Sequence, residues 1–136
     1  ADVGRLQAAW RAAQRAHPVL RAGFARVRSR YWQVTLRAGR AEPAPWRLGA
    51  LPAEPDAEAT AALLRTDASV GVSSRGPHLH RMALWRLPSG GHFFLLTIHN
   101  AVCDAWSCSA LLEDVLAHCG RGVPFPARPP FSDVLA

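Results

Sequence analysis

The sequence predicts an α/β chain, a two-layer sandwich of mixed β-sheet with covering helices. Two observations carry this. Apolar residues recur at helical spacing in three separated stretches, and the runs between them either alternate or are continuously apolar, as strands are. Read along the chain, the order is helix, two strands, helix, two strands, helix, with no internal repeat and no low-complexity segment. With 136 residues the chain fits a single domain, residues 1–136, able to bury about two-thirds of its unfolded surface.

Asp2 is placed to cap the first helix, where Leu6, Trp10, Ala13 and His17 share a face and Arg5, Arg11 and Arg15 are left to solvent. Pro18 ends it. Leu20 to Val27 and Tyr31 to Leu36 read as strands around the turn Arg28-Ser29-Arg30. Trp32, Val34 and Leu36 alternate with Tyr31, Gln33 and Thr35, so one face of that pair is expected to be buried. Four prolines and two glycines between Ala38 and Pro55 indicate a loop with at most a short strand at Trp46 to Leu48. Asp56 is a second candidate cap, for a helix from Ala57 to about Thr66 with Ala59, Leu63 and Leu64 inward.

Pro77 to Leu87 and His92 to His99 are the next strands, split by the turn Pro88-Ser89-Gly90-Gly91. The second is apolar on both faces, the pattern of a central strand. His78 and His80 alternate with Leu79 and Arg81 and are expected on the surface. A last helix carries Trp106, Leu111, Leu112, Val115 and Leu116 as an apolar stripe and stops at Gly120 and Gly122. The five tryptophans fit core packing better than base stacking.

Apolar content near half and moderate charge exclude a disordered tail. No apolar run approaches the roughly 20 residues of a membrane span and the first residues do not form a signal peptide, so a soluble, cytoplasmic chain is expected. The net charge of +6 comes from arginine alone, spread along the chain with few aromatics between. That argues against nucleic acid and suits encounter with an acidic protein partner. Three cysteines without a CxxC pair read as free thiols.

The chemistry concentrates in Thr97-Ile98-His99-Asn100-Ala101-Val102-Cys103-Asp104-Ala105-Trp106-Ser107, between an apolar strand and an amphipathic helix. Such a junction presents side chains and free backbone N–H groups at a sheet edge. His99 alone reads equally as a core histidine, and Asp104 as a simple helix cap. A metal set of His99, Cys103, Asp104, Cys108 and His118 would need one continuous helix, which the strand-to-helix pattern denies. For Cys103 as a nucleophile, no activating base is evident.

This stretch resembles the HHxxxDG motif of condensation domains in nonribosomal peptide synthetases. His99, Asp104 and the following Trp106 and Ser107 match, whereas Asn100 stands at the second His and Ala105 at the Gly. Arg15-Ala16-His17-Pro18-Val19-Leu20-Arg21-Ala22-Gly23-Phe24 resembles a second motif, RHExLRTxF, with His17, Leu20, Arg21 and Phe24 in register. Phe131-Ser132-Asp133 resembles the start of a third, YxDFAxW. The resemblance implies one lobe, the N-terminal one, of a chloramphenicol acetyltransferase-like fold, with the family's first motif and the second lobe not covered.

By the same resemblance, the family joins a carrier-bound acyl or peptidyl thioester to an acceptor amine in a tunnel between two lobes. The partners implied are acyl and peptidyl carrier domains and the second lobe. The phosphopantetheine belongs to those carriers, and no cofactor is bound directly. His99 is expected to brace the loop, Asn100 to stand where the amine is oriented or deprotonated, Asp104 to tie the loop down, and Ala105 to keep the backbone close. Arg21, Trp106 and Ser107 support the motif. Asn100 takes no proton near neutral pH, so impaired catalysis is expected, the alternative being a non-catalytic docking or scaffolding module. An isolated chain of this kind is expected to expose an apolar patch and self-associate.

Overall fold

Helix α1 (Val3–Ala16) begins where the Asp2 carboxylate accepts from Gly4 N at 2.8 Å, and ends as His17 turns into extended backbone ahead of Pro18. The computed structural model describes residues 2–73 and 78–129. Pro18–Arg21 form a short 3-10 turn, so strand β1 (Ala22–Val27) starts two residues later than the sequence suggests. It pairs antiparallel with β2 (Arg30–Thr35) as a separate two-stranded sheet, Ala22 opposite Thr35 and Val27 opposite Arg30. Arg28 in the turn holds a left-handed φ of 57°.

The second sheet has the order β3-β4-β5. Strand β3 (Trp46–Ala50) runs parallel to β4 (His80–Arg86), and β4 runs antiparallel to β5 (His92–Ile98), so the sheet is mixed as expected. Gly90, at φ 84°, makes the β4–β5 turn possible. Gly49 is needed for space instead, since a Cβ there would lie 2.9 Å from Cδ1 of Trp85.

Helix α3 (Ala105–Arg121) packs with α1 against one face of this sheet. Met82 and Leu84 of that face meet Leu6, Trp10, Ala13, Leu111 and Val115 in a single core, joined by Leu20 and Ala44. Alternation puts Arg81 and Thr97 on the opposite face. There both reach Asp67 of α2 (Ala57–Val70). Arg81 pairs with the Asp67 carboxylate at 2.9 Å and also donates to the carbonyls of Asp67 and Gly71. The last turn of α2 has no basic residue of its own, so this guanidinium is the cation at its negative end. That explains why the helix runs to Val70, past Thr66.

Several expectations need correction. The hairpin face of Trp32 and Val34 is exposed, and every residue of β2 lies open, because no described element covers it. Among the described residues β5 is an edge strand, half-buried throughout, while β4 is central and buried. In α2, Ala59 and Leu64 are exposed and Leu63 is half-buried. In α3, Trp106 and Leu116 point outward, Leu111 and Val115 carry the burial, and the helix passes through Gly120 to stop at Gly122, φ 68°.

His80 is not on the surface: it is 2% exposed, and its Nε2 accepts from Trp10 Nε1 at 3.2 Å. His78 is half-buried with its ring 6.0 Å from that of His80. Trp10 and Trp85 are core residues as expected, but Trp32 and Trp106 are not. The third motif resemblance, at Phe131–Asp133, lies outside the described residues.

Candidate functional site

The β5 strand does not stop cleanly at Ile98. His99 N donates to Leu79 O at 2.8 Å, adding a rung to the β4–β5 ladder, and Val102 N then donates to His99 O at 3.0 Å. The chain therefore turns immediately after a fully paired residue. The His99 ring folds back on this turn, its Nδ1 accepting from Ala101 N at 3.1 Å. His99 is half-buried and held by its own loop. Asn100 follows at the apex and is exposed.

Asp104 closes the loop by capping α3, its carboxylate accepting from Ser107 N at 2.7 Å. The hydrogen bond from Ser107 holds its pKa below the usual carboxylate range. Among the described residues the ion pairs are Arg81–Asp67 and Arg128–Asp114, so Asp104 secures the loop as a cap and not through a guanidinium. Ala105 is the first helical residue. Arg28 has the one positive φ outside glycine among the described residues, so alanine at 105 bears no backbone strain. Trp106, 88% exposed, projects from the first turn.

Arg21 is buried. It is 9% exposed, its backbone oxygen accepts from Leu36 N, and its Nε and Nη1 atoms have no hydrogen-bond partner.

The two sequence motifs nevertheless meet. A cavity of about 80 Å³ is lined by His17 and Val19 from the first, by Cys103 and Ser107 from the second, and by Asp114 and Arg128 at its side. Burial lowers the basicity of His17, Asp114 acts in the opposite sense, and Arg128 adds to the lowering. A neutral imidazole there leaves Nε2 enclosed without a partner. The Asp114–Arg128 pair, at 2.7 Å, was not legible in sequence, since it joins α3 to an irregular Pro-rich tail with no periodicity to align them. His118 and Phe125, stacked with centroids 4.8 Å apart, tie the same tail down, and Phe125 also meets His17 edge-on.

What the arrangement offers is a braced turn with a neutral hydrogen-bonding side chain at its apex, beside a helix N-terminus. Asn100 can donate and accept but has no proton-accepting base. No helix among the described residues is long and apolar enough to cross a membrane.

Comparisons with known proteins bear on the family and the fold. A family model described as Condensation domain matches residues 1–136. Nonribosomal peptide synthetase nanA of Aspergillus nanangensis is 32% identical over 133 residues, covering 93% of this chain and 5% of that protein. Nonribosomal peptide synthetase ungA of Aspergillus violaceofuscus is 32% identical over 134 residues, covering 98% of this chain and 1% of that protein. The crystal structure of SgcC5 from Streptomyces globisporus has the same fold, with a TM-score of 0.82 at 24% identity, over 98% of this chain and 31% of that one. The chain thus spans a small part of these synthetases and under a third of the solved relative.

Proposed function

The chain belongs to the condensation-domain family, and on that premise we propose that it forms the N-terminal lobe of an amide-forming module of a nonribosomal peptide synthetase, with its proton-accepting position weakened. The observation that carries this reading is the turn itself: His99 braced by Ala101 N, Asp104 capping α3, and exposed Asn100 between them.

The reaction is aminolysis of a thioester. The acceptor nitrogen attacks the carbonyl, negative charge develops on its oxygen, the nitrogen loses a proton, and the carrier's thiolate leaves. Asn100, at the apex, is placed to hydrogen-bond the amine or the developing oxyanion, and orientation of this kind lowers the entropic barrier to a bimolecular step. It does not take the amine proton, which passes to solvent or to the departing thiolate. His99 and Asp104 act by holding the turn, and Ala105 lets the backbone come as close as the helix start allows.

The thioester arm arrives on a partner carrier domain and is substrate here. The cavity beside the turn, about 80 Å³, is well below the roughly 300–1,000 Å³ of ordinary ligand pockets. On this reading the chain supplies one wall of the reaction site, the rest coming from a second lobe.

The test is amide formation by the parent synthetase with donor and acceptor carriers loaded, compared with its Asn100→His variant. Restoring a base should raise the rate by about 10²–10⁴-fold. A parent already at the variant's rate would show that the position needs no base. Inactivity of both, with carrier binding intact, would favour a docking or scaffolding role.

A further inference from the structure

The capping of α3 by Asp104 makes Cys103 the residue just before the cap and Cys108 the fourth residue of the helix. Side chains at these two positions pack against each other wherever a hydrophobic staple fixes the entry of a chain into a helix. Here both are thiols, with sulfurs 2.9 Å apart. Closing to a disulfide length of about 2.05 Å needs about 0.9 Å of movement. Cys103 is buried and lines the cavity beside the motif turn, whereas Cys108 is half-buried and more open to reagents.

We propose that Cys103 and Cys108 form a reactive dithiol site that takes small-molecule disulfides and closes into an intramolecular bridge, locking the motif turn to the first turn of α3. Cys108, as thiolate, attacks one sulfur of the small disulfide and expels the other half as a thiolate. Cys103 then attacks the Cys108 sulfur and expels the second half. Two protein thiols are oxidised to one disulfide, the small disulfide is reduced to two thiols, and the two protons lost by the cysteines end on the two leaving groups.

The order follows from the surroundings. Burial, with the neighbouring Cys108 and Asp104 adding to it, pushes the Cys103 thiol up to about 12, so Cys103 is a poor first nucleophile. Burial remains once Cys108 is derivatised, and the second step rests on proximity, the Cys103 sulfur lying 2.9 Å from the sulfur it must attack. Neither step depends on the proposed amide-forming activity.

Incubating the reduced full chain with oxidised glutathione, alkylating in denaturant and cleaving after both Trp106 and Glu113 tests this directly, because the two cuts put Cys103, Cys108 and Cys119 on three different peptides. The expected result is loss of two of the three thiols, no retained glutathione, and a linked pair of peptides carrying Cys103 and Cys108. Cys103→Ser should instead trap a stable glutathione adduct on Cys108, and phenylarsine oxide, which bridges adjacent thiols, should protect both from alkylation. Glutathione retained on Cys108 of the unaltered chain, a link through Cys119, or both thiols remaining free would each overturn the proposal.

Discussion

Acid should destabilise this protein through His80. The ring lies in the core between α1 and β4, accepts from Trp10 Nε1, and has the half-buried His78 ring beside it. Burial, helped by His78, lowers its pKa from 6.5 to about 4. The folded state therefore holds the neutral ring, while the unfolded chain takes a proton near 6.5. Between those values the unfolded state binds more protons, so this contribution is complete above about 6.5 and is lost as the pH falls toward 4. At about 1.4 kcal/mol per pH unit the loss totals about 3 kcal/mol, a large share of a small domain's stability of about 5–15 kcal/mol. Urea unfolding followed by tryptophan fluorescence at several pH values between 7.5 and 4 measures it. The comparison is His80→Gln, whose amide oxygen can still accept from Trp10 but takes no proton. The difference in stability between the two should shrink or reverse by about 3 kcal/mol across that range. Parallel pH dependences would refute the assignment.

Three further outcomes follow from other parts of the fold. Asp104→Ala should lower the thermal midpoint while Asp104→Asn largely preserves it, because either oxygen can accept from Ser107 N. Gly49→Ala should cost about 1–3 kcal/mol in urea unfolding, since the new methyl must displace the Trp85 ring. The open hairpin face, with Trp32 53% exposed beside Val34 and Val27, should drive concentration-dependent association seen by light scattering, and Trp32→Glu should reduce it.

The parts of the fold that the sequence revealed are those set by local chemistry. Asp2, Asp56 and Asp104 all cap helices, and each bond runs to a residue two or three positions on. The motif turn was legible for the same reason, because it follows an apolar strand and precedes an acidic cap. What stayed hidden depends on distant partners. His80 is satisfied by Trp10, 70 residues away. Its burial had one local sign, since alternation places it on the face of Met82 and Leu84. The extra turn of α2 depends on Arg81, whose guanidinium meets it from a strand that follows later in the chain. The alternation in β2 was real but has no covering layer among the described residues, and periodicity shows which residues share a face without showing what lies on it. The meeting of His17 with Cys103 and Ser107 around one cavity likewise needs α1 and α3 to pack together.

The claim on which the functional reading rests is that residue 100 faces the reacting amine and carbonyl. The pH dependence of single-turnover amide formation by the Asn100→His synthetase tests it most directly. An imidazole at that position should add a rising limb centred near an ordinary histidine pKa of about 6.5, absent from the unaltered enzyme. Identical rates and identical pH profiles for the two would contradict the account.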